Sequence, residues 1–192
     1  MIYVIGTCHK TQIMNDQVRR RAFGTVPLSK IEAFQQYLTD TARAVGAVAI
    51  GEELTAEGVS ACGHNAVSIV ELVARDLLIS HVFCEPVGLD REKLGLRAGS
   101  AMVQHAEKIA KESNRDFVEV HREEVRKQFS IRESYWLSQL IQFQPNQNSV
   151  VLVCGADHSQ SFVHTAIATG IEAGVQCDDW TTLAEIHCPC CL

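Results

Sequence analysis

Residues 149–158 read SVVLVCGADH and contain the clearest strand pattern of the chain. Apolar and β-branched side chains run without interruption over 150–154 and stop at Gly155, which is typical of a strand buried on both faces of a parallel sheet. The beginning of the chain, MIYVIGTCHK, repeats this design, because the apolar run 2–5 stops at Gly6. In both stretches a histidine follows three residues after the glycine.

Helical and strand patterns alternate between these two stretches. Because every connection between successive strands contains a helix, the sequence predicts an α/β fold: a single domain with a mainly parallel central sheet flanked by helices. This domain is expected to span 1–186, followed by a Cys-rich tail at 187–192. The predicted helices lie at about 29–45 (capped by Ser29), 65–80 (capped by Asn65), 98–113, 119–143 and 158–172, and the further strands at 47–50, 81–84 and around 175–177.

Composition and charge narrow the classes of function. Apolar residues make up 46% of the 192 residues and the formal net charge is −6, so nucleic acid is not expected as a partner, since it requires a concentrated basic face. No run of 18 apolar residues suggests a membrane span, and no secretory leader is recognisable, which leads us to expect a cytoplasmic protein. The eight cysteines are then expected to be mostly reduced, with those at strand ends buried.

The predicted topology places a functional site at one edge of the sheet. In open parallel sheets, ligands bind outside the carboxyl ends of the strands. The stretches at those ends are GTCH (6–9), GEE (51–53), CEP (84–86) and CGADH (154–158). Two histidines and several glutamates should therefore converge, although each histidine could also serve only as a helix cap and each glutamate could face solvent.

Two imidazoles and a carboxylate are the usual ligands of a hydrolytic divalent ion. Such a site leaves a coordination position for water. The histidines in question are His9 and His158, and the carboxylate belongs to Glu52 or Glu53. Because successive side chains of an extended strand point to opposite sides, only one of the two glutamates is expected to belong to the site.

Four stretches, in chain order, resemble the TraB/Tiki superfamily, which is related to the erythromycin esterase and ChaN-type proteins. Members share a strand ending in GT-x-H, an acidic end of the second strand, an arginine-containing helix, and a final strand with G-x-x-H. The matching stretches here are VIGTCH (4–9), AIGEE (49–53), FSIRESYWLSQLI (129–141) and VVLVCGADH (150–158).

The resemblance implies a metal-dependent hydrolase-like site. His9 and His158 would be metal ligands or catalytic bases, Glu52 or Glu53 the acidic partner, and a divalent ion such as zinc or manganese would be held by His9, Glu53 and His158. Arg132 would position or neutralise an anionic group, since a guanidinium presents a fixed fork of donors. The alternative for Arg132 is an exposed helix arginine paired with Glu133 or another neighbour.

The leading hypothesis is therefore a metal-dependent hydrolase acting on a small ester, amide or phosphoester-like substrate. The alternatives are a non-catalytic sensor that binds a nucleotide or anion, and a structural component of a larger assembly. The expected partner is a small molecule, and a homo-oligomer is also compatible with the sequence. The tail HCPCCL (187–192) could be a reactive segment, form an intermolecular disulfide or bind metal adventitiously.

Overall fold

The computed structural model describes residues 1–20, 25–97, 99–144 and 148–183, and its central feature is a five-stranded parallel sheet. In chain order, the strands are β1 (Ile2–Thr7), β2 (Ile13–Met14), β3 (Ala47–Glu52), β4 (Val67–Ser68), β5 (Ser80–Phe83), β6 (Ser149–Gly155) and β7 (Ala173–Cys177). The parallel sheet has the strand order β5-β3-β6-β1-β7. Strands β2 and β4 form a separate antiparallel pair.

Helices connect the parallel strands, so the predicted α/β class is confirmed. Short 3-10 turns at His9–Thr11 and Ala156–His158 directly follow β1 and β6, and a third turn, Ile141–Phe143, ends the longest helix. The helices are α1 (Asp16–Arg19), α2 (Leu28–Ala44), α3 (Ala56–Ala61), α4 (Ile69–Asp76), α5 (Gly88–Lys93), α6 (Gly99–Ser113), α7 (Phe117–Leu140), α8 (Ser159–Ala168) and α9 (Trp180–Leu183).

The strand pattern that opened the sequence analysis forms the middle of the sheet. Residues 150–154 are all completely buried, with β1 on one side of β6 and β3 on the other. In the register of β1 with β6, Gly6 lies opposite Cys154 and Thr7 opposite Gly155. The two Gly-x-x-His motifs therefore end neighbouring strands, and the end of β3 follows on the far side of β6.

Each face of the sheet is covered by its own helices. On the α2 face, Phe34 and Leu38 of α2 and Val73 of α4 pack against alternate strand residues such as Ile50. On the α7 face, the packing comes from α7 and α8, with Trp136, Leu140 and Phe162. Each such side chain contributes roughly 1.5–3 kcal/mol by leaving water.

Helix α7 reaches beyond the sheet. Only its second half, with Trp136 and Leu140, packs on the strands, whereas Val120 in its first half contacts Ala106 and Ala110 of α6. A helix of this length extends for about 36 Å, considerably more than a strand of the sheet. The α6–α7 pair therefore protrudes at the edge of the fold.

Two predicted helix starts are wrong. The helix predicted at 65–80 begins at Ile69, because Ser68 pairs with β2 and its hydroxyl then accepts the Glu71 N–H as the true cap. Asn65, the predicted cap, has a left-handed backbone with φ of 60° in the preceding turn. The helix predicted to begin after Ser29 begins at Leu28, with Pro27 in the cap position.

The apolar face predicted for α7 is only partly correct. Leu137 and Leu140 are buried, but Ile131 and Ile141 are 36% and 44% exposed. In the second half of α7 the buried positions are 133, 136, 137 and 140, which share one side of the helix. Ile131 lies away from that side, and Ile141 lies in the 3-10 turn after the helix. The error arises because Glu133 is buried. A pattern of apolar residues does not count a glutamate as part of the buried side of the helix.

Cysteine burial agrees with the prediction. Cys8, Cys84, Cys154 and Cys177 are buried thiols, and Cys62 is exposed. The predicted Cys-rich tail lies outside the described residues. Among the helices that the structure describes, none combines the length and apolar character needed to span a membrane.

Candidate functional site

The carboxylate of Glu53 is the centre of the site. It follows β3 directly, points to the α7 face, and only 2% of its side chain is exposed. Its Oε2 accepts the backbone N–H of Gly155 at 2.7 Å, and its Oε1 accepts a hydrogen bond from Nη2 of Arg132. A Cβ at position 155 would lie 3.2 Å from Oε2, so a glycine at the end of β6 is what allows this close approach.

His9 lies at the mouth of the site beside Glu53. Its Nε2 is 3.3 Å from Oε2 of Glu53, and 45% of its side chain is exposed. Partial burial disfavours the imidazolium, but the hydrogen bond to Glu53 and the charge of that carboxylate outweigh it, and they raise the pKa of His9 above 6.5. His9 is therefore an accessible imidazole oriented by a buried carboxylate.

The same contacts keep Glu53 ionised. Burial alone would raise the pKa of its carboxyl, but the hydrogen bond to His9 and the nearby charges of His9, His158 and Arg132 outweigh burial and lower the pKa to about 2. Glu53 is thus a carboxylate at every pH at which the protein would work.

His158 is held in a different way from His9, because it is buried and fixed at both ring nitrogens. Its Nδ1 is 2.7 Å from Oε1 of Glu133, and its Nε2 lies 3.5 Å from Oε1 of Glu53 and 3.4 Å from Nη1 of Arg132. The rings of Phe129 and Trp136 enclose it, with centroids 4.0 and 4.9 Å away.

Glu133 fixes the orientation of His158. This carboxylate is 1% exposed and also accepts hydrogen bonds from the hydroxyls of Ser161, at 2.6 Å, and Thr165, at 3.4 Å. A carboxylate beside Nδ1 favours the tautomer of His158 that carries its proton on Nδ1. In this orientation of the ring, Nε2 points to Glu53 and Arg132. In many functional histidines, one ring nitrogen is likewise hydrogen-bonded to a carboxylate while the other ring nitrogen faces the site.

Arg132 links the carboxylates of the site. Its Nη2 donates to Glu53, its Nε donates to both carboxylate oxygens of Glu85 at 3.0 and 3.1 Å, and only 18% of its side chain is exposed. Glu85 is held in turn by Arg91 and by the indole N–H of Trp136. The alternative of an exposed Arg132 paired with Glu133 is therefore wrong.

Glu52 lies on the opposite face of the sheet, as strand alternation predicts for one of the two glutamates. It is completely buried, and its Oε1 accepts the hydroxyl of Ser68 at 2.6 Å and lies 2.7 Å from Nε2 of His81. The structure thus brings together His9, Glu53, Arg132 and His158, and it separates Glu52 from them.

A cavity of about 290 Å³ opens onto these residues. It is lined by His9, Glu53, Arg132 and His158 together with Phe129 and the segments that follow β1 and β6, including Gly155 and the exposed Asp157. Through the described contacts, three carboxylates (Glu53, Glu85 and Glu133) face two guanidinium groups (Arg91 and Arg132). The network is therefore not an electropositive site.

The predicted metal ligands do not form a metal site in this arrangement. Arg132 donates to the same Glu53 oxygen that faces His158, and its Nη1 is 3.4 Å from the Nε2 that would bind the ion. A guanidinium thus holds the space between two of the three predicted ligands, and its charge repels a divalent cation. No group of three histidine, cysteine or acidic side chains with suitable geometry occurs among the residues described in the structure.

Sequence reasoning missed the role of two glutamates. Glu85 is visible in the sequence as the end of a strand, CEP (84–86), but nothing there connects it with Arg132. The sequence suggests Glu133 only as an ion-pair partner of Arg132, and its contact with His158 depends on the packing of α7 against α8. An acidic residue at a buried helix position was the available signal.

Comparisons of the chain with protein-family models, with curated proteins and with solved structures gave no significant match. The resemblance to the TraB/Tiki superfamily accordingly stays a prediction. The functional interpretation rests on the geometry of the cavity and its residues.

Proposed function

We propose that this protein is a hydrolase of a small ester, amide or phosphoester-like substrate, in which His9 and Glu53 activate water. One observation carries the proposal: a buried, ionised carboxylate orients a half-exposed histidine at the mouth of a cavity formed by strand ends. A carboxylate–imidazole pair of this kind is the usual general base of hydrolytic sites.

In this mechanism His9 moves the proton. Its Nε2–H donates to Glu53, which leaves Nδ1 free to accept a proton from water. The hydroxide formed attacks the carbonyl carbon or phosphorus atom, and the bond to the leaving group breaks. The imidazolium then returns its proton to the leaving oxygen or nitrogen, while Glu53 stabilises the transient positive charge.

Arg132 supplies an oriented hydrogen-bond donor for the negative oxygen of the transition state. Its guanidinium is held by Glu53 and Glu85 before any substrate binds, Arg132 lines the cavity, and its Nη1 is 3.4 Å from Nε2 of His158. Preorganised donors of this kind contribute strongly to acyl and phosphoryl transfer. His158, held by Glu133, keeps Nη1 in position.

The metal-dependent form of the hypothesis fits the geometry less well. A divalent ion on His9, Glu53 and His158 would require Arg132 to withdraw from Glu53. Elemental analysis of purified protein and an assay in chelator test this point. Activity that is lost in chelator and restored by one divalent ion would overturn the metal-independent assignment.

A substrate screen tests the proposal itself. We expect turnover of at least one member of a panel of 4-nitrophenyl carboxylic esters, 4-nitroanilides and bis(4-nitrophenyl) phosphate. The rate should fall by about 10²-fold or more in His9→Ala, as is usual for loss of a general base. The matched control is His164→Ala, which removes an exposed histidine of α8.

The two non-catalytic alternatives predict other results. A sensor would gain thermal stability from a nucleotide and turn over none of the panel, and a structural component would respond to neither. The proposed function is wrong if no substrate is hydrolysed, or if His9→Ala and His164→Ala have equal rates while both remain folded by circular dichroism.

A further inference from the structure

A second cavity adjoins the site beneath the protruding α6–α7 pair. Its volume is about 380 Å³, within the range of small-molecule pockets. Its walls come from α5 and the segment after it, from the start of α6 and from one side of α7. The proposed function does not account for these walls.

The two cavities share part of their wall. Phe129 and Arg132, one helical turn apart on α7, line both the cavity with His9 and this second cavity. The second cavity is therefore next to the proposed active site. A substrate that reaches from His9 into it has to pass Phe129 and Arg132.

The second cavity combines apolar and cationic side chains. Met102, Val103 and Val125 supply the apolar surface, and the guanidinium groups of Arg91 and Arg97 lie beside it. No aspartate or glutamate lines this cavity among the described residues. Such walls complement a molecule with an apolar body and an anionic end.

Arg97 carries the charge that is available to a ligand. Arg91 is already paired with Glu85, and Arg132 with Glu53 and Glu85. In the described part of the chain, no carboxylate lies within ion-pair distance of the Arg97 guanidinium, whereas its backbone is held by Gln128 and Arg91. The backbone of Arg97 is thus fixed by hydrogen bonds, and its side chain is exposed.

We propose that this second cavity, the Arg97 pocket, selects substrates that carry an apolar chain ending in a carboxylate or phosphate. Selection of substrates by this pocket presupposes the proposed hydrolase function. Binding of a ligand to the pocket does not depend on that function. The apolar chain lies along Met102, Val103 and Val125, and the anion pairs with Arg97.

Binding measurements test the pocket without any turnover. Hexanoate, hexyl phosphate and 1-hexanol are titrated into the protein and followed by NMR chemical shifts. We expect at least one of the two anions to bind about tenfold or more tightly than the alcohol. This preference should disappear in Arg97→Gln and persist in the matched control Arg75→Gln, an exposed arginine of α4. The better of the two anions identifies the terminal group.

Kinetic measurements then connect the pocket with catalysis. Mono(4-nitrophenyl) adipate and 4-nitrophenyl hexanoate have the same leaving group and equal acyl chain lengths, but only the adipate ester carries a terminal carboxylate. If a carboxylate binds in the titrations, we expect a higher kcat/KM for the adipate ester, through a lower KM, and loss of that advantage in Arg97→Gln.

The outcomes separate the two proposals. Binding that depends on Arg97, without turnover of either ester, supports the pocket and contradicts the hydrolase. Equal binding of anions and alcohol, or an anion preference unchanged in Arg97→Gln, overturns the pocket even if both esters are hydrolysed.

Discussion

At the scale of single residues, the two histidines of the Gly-x-x-His motifs have different tasks. His9 is half-exposed and contacts one carboxylate, whereas His158 is buried between two carboxylates and two aromatic rings. The two Gly-x-x-His motifs therefore place an accessible imidazole after β1 and a buried imidazole, held at both ring nitrogens, after β6. Burial decides the difference, because a base must reach solvent or substrate.

Glu53→Gln should change the pH dependence of activity. In the wild type, hydrolysis is expected to rise as His9 loses its proton, with a midpoint above pH 6.5 because Glu53 raises the pKa of His9. Without the carboxylate of Glu53, burial and the charge of Arg132 lower that pKa, and together they outweigh the smaller opposing effect of the Glu85 charge. The midpoint should therefore move to lower pH while kcat falls by about 10²-fold.

The matched control for this variant is Glu52→Gln, which changes the neighbouring glutamate on the opposite face. Measurement of kcat/KM from pH 5 to pH 9 should show its midpoint at the wild-type position. The proposed pairing of His9 with Glu53 is contradicted if both variants, or neither of them, shift the midpoint.

Glu133→Gln should impair the site through His158. The amide loses the charge that favours a proton on Nδ1, so the imidazole and Nη1 of Arg132 become less well ordered. We expect kcat to fall by about tenfold or more with little change in KM. Glu119→Gln, an exposed position of the same helix, is the control.

Nitrogen-15 NMR of the histidine rings gives a readout that general destabilisation would not produce. In the wild type, His158 should show a proton on Nδ1, and in Glu133→Gln a mixture of tautomers. An unchanged tautomer together with reduced activity would show that Glu133 does not act through His158.

At the scale of secondary-structure elements, the next-to-last position of β1 is a glycine for a steric reason. A Cβ on Gly6 would lie 1.9 Å from the carbonyl oxygen of Asp178 and 3.1 Å from the Cα of Ala156. These are backbone atoms and cannot rotate away. The end of β1 is thus packed between the segment after β7 and the turn after β6, the same turn that carries His158.

Gly6→Ala should therefore destabilise the protein by about 1–3 kcal/mol, the usual cost of overpacking. The control is Gly174→Ala in β7, where the nearest atom is the terminal Cε of Met1 at 3.1 Å, which can move. Urea unfolding should show a lower midpoint for the Gly6 variant. Equal midpoints for the two variants would contradict the steric explanation.

Helix α7 contributes residues to both cavities because its two halves pack against different parts of the protein. Its second half packs on the sheet through Trp136 and Leu140, and its first half packs on α6 through Val120. Arg132 and Phe129 lie between these halves. A helix confined to the sheet could not line the Arg97 pocket.

At the scale of the whole molecule, Glu53 couples folding to pH. Its pKa is about 2 in the folded protein and 4.5 in an unperturbed chain, so the unfolded state binds its proton first as the pH falls. The stabilisation is complete above pH 4.5 and is lost as the pH falls toward 2. Its size is on the order of 3 kcal/mol.

Urea unfolding at pH 6 and pH 3 measures this effect. The wild type should lose more unfolding free energy between these pH values than Glu53→Gln, which has no carboxyl to protonate there. An equal loss in both proteins would show that Glu53 does not contribute to acid sensitivity.

Much of the fold could be predicted from the sequence, because strand burial and helix periodicity are local patterns. The run 150–154 predicts a central strand, and β6 is the middle strand of the sheet. The starts of α2 and α4 were predicted incorrectly because Pro27 and the β2–β4 pairing override local cap preferences. Such long-range pairing leaves no periodic trace in the sequence.

The sequence by itself determined that His9, His158 and one glutamate converge, since residues at the carboxyl ends of parallel strands share one edge. Alternation along β3 also determined that Glu52 and Glu53 separate. Only the tertiary structure decided that Glu53 is the glutamate in the site and that Arg132 lies where a metal ion was expected. The physical reason is that α7 crosses the end of the sheet, and the approach of a helix to strand ends depends on packing rather than on sequence pattern.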